Sequence, residues 1–177
     1  MRFPRPAGLG KLARVKKLLI IQHSLTGGTA QMAAAAAQGA EREADTATTL
    51  LRATQAGPED MLAADGYVFA TPENLAAMAG LMKDFFDRCY YPLLGRIEGR
   101  PYASLICAGT DGTNAARQIT RIATGWRLRE MAEPLIIRTG AQTPDAILAP
   151  KHLSPAELAR CAELGEAMAT GLAAGIF

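Results

Sequence analysis

Short apolar runs of strand length alternate along this chain with longer stretches in which apolar residues recur every three or four positions. Lys17 to His23, almost wholly apolar at its centre, predicts a first strand, and Thr29 to Glu43 predicts a first helix. That helix carries Ala33 to Ala37, the best helix former in a row, whose small side chains permit close approach to a sheet. Thr46 to Leu51 is β-branched and apolar and predicts a second strand. Gly57-Pro58-Glu59-Asp60 opens a short helix with Pro in its first turn. Asp65 to Ala70 predicts a third strand, stopping at Thr71-Pro72. From Ala76 to Arg88 the period becomes helical: Leu75, Met78, Ala79, Met82, Phe85 and Phe86 share one face, and Asp84 precedes Arg88 by four on the wet side. Tyr90 to Arg100, with Pro92, Gly95 and Gly99, predicts an irregular connector. Tyr102 to Ala108 is a fourth strand, Asn114 to Thr124 a fourth helix and Pro134 to Arg138 a fifth strand. A loop holding Pro144 and Pro150 follows. Ser154-Pro155-Ala156-Glu157 then has the spacing of a capping box and starts the last helix.

Strands alternating with helices in this way predict an α/β domain: a doubly wound, five-stranded parallel sheet with helices on both faces, strand order 2-1-3-4-5. In such sheets ligands lie beyond the carboxyl ends of the strands, where the order reverses between strands 1 and 3. Three loops should meet there: Ser24–Thr29, Thr71–Leu75 and Gly109–Thr113.

The first of these, Ser24-Leu25-Thr26-Gly27-Gly28-Thr29, passes from a strand into a helix and is rich in hydroxyls and glycine. Free N–H groups at the helix start, the positive end of its dipole and the hydroxyls of Ser24, Thr26 and Thr29 make an anion site. The loop has neither the Lys of a nucleoside-triphosphatase loop nor the G-x-G-x-x-G spacing of dinucleotide binders. A phosphate monoester held by neutral donors fits it best. The other two loops are also rich in Gly, Thr, Asn or Asp and poor in charge, which suits a neutral heteroaromatic ring.

A length of 177 residues and an apolar fraction of 49% fit one domain with a good-sized core. The net charge of +2 hides an asymmetry, because six of the 19 cations precede the first acid, Glu41. Residues 1–14 read as a basic, Pro/Gly-containing extension without a signal-peptide core, ahead of a domain over 15–177. No apolar run is long enough for a membrane span, and no nucleic-acid partner is expected. Cys89, Cys107 and Cys161 are odd in number and widely spaced, which argues against a disulfide framework and for a reducing cytoplasm. They do not cluster with His23 or His152, so no metal site is expected. Six residues separate Cys89 from Arg96 where a thiol-phosphatase loop needs five, and there is no G-x-S-x-G. His23 reads as structural, Trp126 as a packing anchor, Lys83 as a solvated partner of Asp87.

Two motifs carry a resemblance. Ser24 to Thr29 is similar to the T-x-T-G-x-T phosphate loop of flavodoxins, with Ser24 for the first Thr. Thr71 to Arg88 resembles the quinone-reductase pattern T-P-(loop)-x-M-A-G-x-M-K-x-F-x-D-R, and Pro72-Glu73-Asn74 is similar to the P-E-Y-N loop of FMN reductases without its Tyr. Over roughly Lys17 to Leu172 the chain resembles the flavodoxin-like superfamily, specifically NAD(P)H-dependent FMN reductases and quinone reductases related to multimeric flavodoxins. The resemblance implies a flavodoxin-like fold, FMN as cofactor and NAD(P)H as co-substrate. It implies that Ser24, Leu25, Thr26, Gly27, Gly28 and Thr29 bind the FMN phosphate. Pro72, Glu73, Asn74 and Leu75 would line the isoalloxazine, and Gly109, Thr110, Asp111 and Gly112 would close the far side. Tyr90 or Tyr91 would replace the missing Tyr at the dimethylbenzene edge, from a neighbouring subunit. No side chain is required as a catalytic acid or base. The implied activity passes reducing equivalents from a nicotinamide to a quinone-like or flavin acceptor, in a homodimer or higher homo-oligomer. A flavodoxin-type electron carrier and a flavodoxin-fold binding module without catalysis are the alternatives.

Overall fold

The structure, a computed structural model, describes residues 14–177; the expected basic extension lies outside them except for Arg14, which pairs with Asp65. The strands are β1 (Lys16–Gln22), β2 (Thr46–Arg52), β3 (Gly66–Asn74), β4 (Ala77–Met78), β5 (Pro101–Ala108), β6 (Arg129–Glu130) and β7 (Leu135–Arg138). The helices are α1 (Gly28–Ala40), α2 (Pro58–Ala63), α3 (Gly80–Leu93), α4 (Thr113–Gly125), α5 (Pro144–Leu148) and α6 (Pro155–Ala174). The parallel sheet runs β2-β1-β3-β5 and then splits. β6 lies along Pro101 and Tyr102 at the start of β5, and β7 lies along Leu105 to Ala108 at its end. The order 2-1-3-4-5 therefore holds, with the fifth position divided between two short strands.

Because side chains alternate across a strand, each central strand feeds two cores of different thickness. Leu19, Ile21, Tyr67, Phe69, Tyr102 and Ile106 face α2, α3 and α4 and pack with Phe85, Phe86 and Trp126. Leu18, Ile20, Val68, Ala70, Ala103 and Leu105 face α1 and α6, where alanines predominate. The thin layer lets backbones touch. A Cβ on Gly39 would stand 1.9 Å from the carbonyl oxygen of Ala162, and one on Gly165 would stand 1.9 Å from that of Ala36. Cys161 is buried between these helices, and burial pushes its thiol up to about 11; Cys89, buried in the other core, is pushed to about 11 for the same reason.

The sequence pattern misplaces the centre of the chain. β3 does not stop at Thr71-Pro72 but runs on to Asn74, still pairing with β5 at Ile106 and Cys107. β1 has already ended opposite Ala70, so Pro72 sits where one side of β3 is open and its missing N–H costs no ladder bond. Ala77 and Met78 then turn back as β4, opposite Asn74 and Glu73, which delays α3 to Gly80. Leu75 is consequently not on the buried helical face but fully exposed at 102%. α3 also continues through Pro92 into the expected connector, and α5 forms where a loop was expected. Ser154 caps α6 as its spacing requires: its hydroxyl accepts from the Glu157 N–H at 3.3 Å, and the Glu157 carboxylate accepts from the Ser154 N–H at 2.8 Å.

Tyr90 does not reach the ligand end of the sheet. Its ring stacks on Trp126 at 5.7 Å, and the Trp126 indole N–H donates to the Tyr90 carbonyl at 3.0 Å. Both stand where α3 and α4 end, near the amino edge of the strands. Tyr91 is exposed at the same end.

Gly165→Ala should destabilise the protein by about 3 kcal/mol or more in denaturant unfolding, since the added methyl meets backbone rather than a movable side chain. A loss below about 0.5 kcal/mol would contradict the backbone contact.

Candidate functional site

At the carboxyl edge of the sheet a cavity of about 450 Å³ opens between the ends of β1, β3 and β5. That volume is in the range of about 300–1,000 Å³ typical of small-molecule sites. Its first wall is the β1–α1 turn, where Ser24, Leu25, Thr26, Gly28 and Thr29 line the space. Gly27 does not; it turns the chain with φ 89° and donates its N–H to the Ser24 hydroxyl at 3.1 Å. No side chain caps α1 and no acid occupies its first turn, so the N–H groups of the opening turn point outward without helical partners. Thr29 is 1% exposed, and its hydroxyl oxygen has no hydrogen-bond partner among the described residues. Gly28 tolerates no side chain: a Cβ would lie 2.5 Å from the Cys107 sulfur and 3.3 Å from Cβ of Lys151.

The second wall is the β3–β4 hairpin. Pro72, Glu73, Asn74, Leu75 and Ala76 line the cavity. The two-residue loop Leu75-Ala76 has φ 51° and 57°, the signs of a type I′ turn, without the Asn or Gly that normally occupies it. Left-handed backbone costs a side-chain-bearing residue about 1–2 kcal/mol. The turn is held by Thr71, whose hydroxyl accepts from the Ala79 N–H at 3.2 Å. Asn114 holds it too, its amide donating to the Ala76 carbonyl at 2.5 Å, and Gln118 accepts from the Met78 N–H at 2.8 Å.

Gly109 and Thr110 form the third wall, together with Thr139 and Ala141. Asp111 and Gly112 stand outside the cavity. The Asp111 carboxylate turns to the Thr113 hydroxyl at 2.7 Å, and that bond is the main reason its pKa is held below the usual carboxylate value. Gly112 starts α4 with φ 88°, where a Cβ would strike Ile136 at 2.7 Å. Its N–H donates to one Glu73 carboxylate oxygen at 2.9 Å, which ties the second wall to the third; the other Glu73 oxygen is buried without a partner.

The cavity has a fourth side that local motif reading missed. Ile147, Leu148 and Lys151 line it. Gln31 draws this segment in, donating to the Lys151 carbonyl at 2.6 Å and accepting from the Leu153 N–H at 3.2 Å. The Lys151 N–H donates to the Thr26 carbonyl at 2.8 Å. The Lys151 ammonium donates to the carbonyls of Ala146, Ile147 and Ala149 at 2.8, 2.9 and 2.6 Å, capping α5. All three of its protons are engaged, so the donors of the first wall remain neutral. His23 does not line the cavity; its backbone N–H donates to the Ala70 carbonyl at 3.0 Å, and partial burial lowers its pKa. No group of three metal-ligating side chains occurs among the described residues.

A parallel sheet in this order, with a ligand-sized cavity at its switch point and an uncapped helix start facing it, defines a flavodoxin-like domain. An archaeal flavodoxin superposes with a TM-score of 0.71 over 88% of this chain and 98% of its own, at 16% identity. A WrbA-like flavodoxin from Agrobacterium tumefaciens gives 0.70 over 90% and 98%, at 18% identity. These likenesses concern the fold alone. In sequence, residues 52–141 match the NADPH-dependent FMN reductase family, and the chain belongs to that family. It is 37% identical over 96 residues to a flavodoxin of Aquifex aeolicus, covering 54% of this chain and 52% of that protein. It is 33% identical over 94 residues to an NAD(P)H dehydrogenase (quinone) of Acidithiobacillus ferrooxidans, covering 42% and 47%. The chain thus spans about half the length of the curated relatives it matches.

Replacing Leu75-Ala76 by Asn-Gly should raise stability by about 1–2 kcal/mol in chemical unfolding, because both residues accept the left-handed backbone. No gain, or a loss, would contradict the strained turn.

Proposed function

We propose that the chain binds FMN in the cavity at the carboxyl edge. It would use the cofactor to pass reducing equivalents from NAD(P)H to a quinone-like or flavin acceptor. The observation that carries this reading is the Thr29 hydroxyl, buried and unpartnered beside the uncapped start of α1. A buried hydroxyl without a hydrogen bond costs about 1–3 kcal/mol, and a phosphate oxygen there would remove that cost. Ser24, Thr26 and the N–H groups around Gly28 and Thr29 would complete the phosphate cradle. The close fit of Gly28 against Cys107 and Lys151 lets the backbone itself reach the ester.

Pro72 to Leu75 and Gly109-Thr110 would then flank the ring system. Bound there, FMN supplies the two-electron chemistry between nicotinamide and acceptor. Glu73 has one oxygen anchored on Gly112 and the other buried and unpaired, so it is placed to accept a hydrogen bond from a ligand N–H or hydroxyl. The Lys151 ammonium stays on α5 and takes no proton role. The exposed Leu75 stands at the rim, where it would shield one edge of the ring from water. The NADPH-dependent family and the quinone-reducing relative support this electron donor and this class of acceptor. The flavodoxin relative favours a second reading, a one-protein electron carrier that reacts with protein partners instead of nicotinamide.

Purified protein should carry flavin absorbance or take up FMN, and oxidise NADPH or NADH with a quinone in ping-pong kinetics. Flavin uptake without nicotinamide turnover would favour the carrier; no flavin uptake would overturn both. Thr29→Ala should weaken FMN binding by about 10- to 150-fold in a fluorescence titration, one charged-acceptor hydrogen bond being worth about 1.5–3 kcal/mol. Unchanged affinity would remove Thr29 from the cradle.

A further inference from the structure

β2 ends the sheet on one side, and its outer edge is open among the described residues. The ladder with β1 fixes which backbone groups face outward. The Asp45 carbonyl accepts from the Lys16 N–H at 3.1 Å, and the Ala53 N–H donates to the Gln22 carbonyl at 2.8 Å. Odd-numbered residues of β2 therefore bond inward, and Thr46, Thr48, Leu50 and Arg52 face out. The outward Thr46 N–H is already used by the Glu43 carbonyl at 3.4 Å. The Arg52 carbonyl is used too, accepting from the Gln55 N–H at 2.9 Å and the Ala56 N–H at 3.0 Å. Both groups of Thr48 and of Leu50, the Thr46 carbonyl and the Arg52 N–H have no backbone partner among the described residues. Exposed edges are usually blocked by a charge, a Pro or a bulge, and Thr46 to Leu51 has none of these. Ala47, Thr49 and Leu50 are exposed, Leu50 to 39%. The opposite edge is guarded: it is split between β6 and β7 and carries Arg129, Glu130 and Arg138.

We propose that β2 docks the β2 of a second copy, paired antiparallel about a two-fold axis beside Thr49. In that register Thr48 of each copy lies opposite Leu50 of the other, and each such pair exchanges both of its N–H···O=C bonds. Thr46 lies opposite Arg52, so the free Arg52 N–H meets the free Thr46 carbonyl. The groups already used within the chain, the Thr46 N–H and the Arg52 carbonyl, fall opposite each other. No outward group is left over. Moving the axis to Leu50 would set the free Thr48 N–H against the used Arg52 carbonyl. Moving it to Thr48 would set the free Leu50 carbonyl against the used Thr46 N–H. Charge selects the same arrangement. Arg52 has no carboxylate within salt-bridge distance among the described residues, and Glu43 and Asp45 have no cation. The two-fold brings the Arg52 end of each strand to the Glu43–Asp45 end of the other. Residues 1–13 of the chain are a poorer occupant, because Pro4 and Pro6 have no N–H to give a ladder. A closed two-fold uses up the edge, so assembly stops at two copies. Each cavity is built from one chain and opens at its own end of the joined sheet, so the dimer does not depend on the flavin reading.

Sedimentation equilibrium of the intact protein should give twice the 18.7 kDa mass of one chain. Thr49→Lys sets two ammonium groups against each other on the axis and should weaken the dimer about tenfold or more. Thr48→Pro removes an outward N–H that the β1 ladder does not use, and should act likewise. A thermal melt on each variant checks that the fold persists. If Thr48→Pro unfolds, Thr49→Lys decides, since its side chain is exposed. Thr49→Cys should form a disulfide between copies with an added thiol oxidant, because the facing Cα atoms would lie about 4.5 Å apart. Arg52→Cys should not, its two copies standing about 20 Å apart at about 3.4 Å per residue. Cys89, Cys107 and Cys161 are buried and give no background. A monomeric mass at every concentration from micromolar upward overturns the proposal. So does a dimer that survives Thr49→Lys or fails to link through Thr49→Cys.

Discussion

The amino end of α1 is left electrostatically unfinished. Its opening N–H groups have no cap, its first turn has no acid, and the Thr29 hydroxyl is buried without a partner. Helix starts are ordinarily closed by a side chain, as Ser154 closes α6 in this same chain. Because α3 and α4 also start without a side-chain cap or a first-turn acid, the buried, unpartnered Thr29 hydroxyl is what sets the start of α1 apart. The start of α6 is closed from within, and that of α1 keeps its donors free.

That unfinished end is held in place by contacts that allow no looseness. Gly39 and Gly165 let α1 and α6 touch backbone to backbone, and Gly28 lets the turn close on Cys107 and Lys151. Gln31, one turn into α1, binds the chain on both sides of Lys151 and so fixes the fourth wall. Lys151 brings a positive charge to the rim yet spends its protons on α5. On the proposed reading the site would rely on dipoles and neutral donors, which would hold a doubly charged ester without adding a fixed cation next to a redox-active ring.

The strand alternation and the first wall were legible in the sequence because each rests on local pattern (apolar runs, a Gly-rich turn, a capping box), and the sheet order followed from the alternation through the connection rules of doubly wound sheets. What escaped was set by tertiary contacts. Leu75-Ala76 has no turn chemistry, so the hairpin that exposes Leu75 and delays α3 to Gly80 could not be read; it is imposed by Thr71, Asn114 and Gln118. Lys151 reaches the first wall through Gln31, 120 residues away in sequence. Gly27, Asp111 and Gly112 sit within the motifs but serve the turns: two take left-handed backbone, and Asp111 binds Thr113. The close approach expected of Ala33 to Ala37 is met on the thin face, while Phe85, Phe86 and Trp126 fill the thick one; that the two cores differ in depth emerges only in the structure.

The most direct measurement compares FMN with riboflavin binding to the apoprotein, because the two ligands differ only in the ester that the start of α1 would hold. FMN should bind at least a hundredfold more tightly, about 2.7 kcal/mol. Equal affinities would mean that α1 holds no phosphate and that the cavity serves some other ligand.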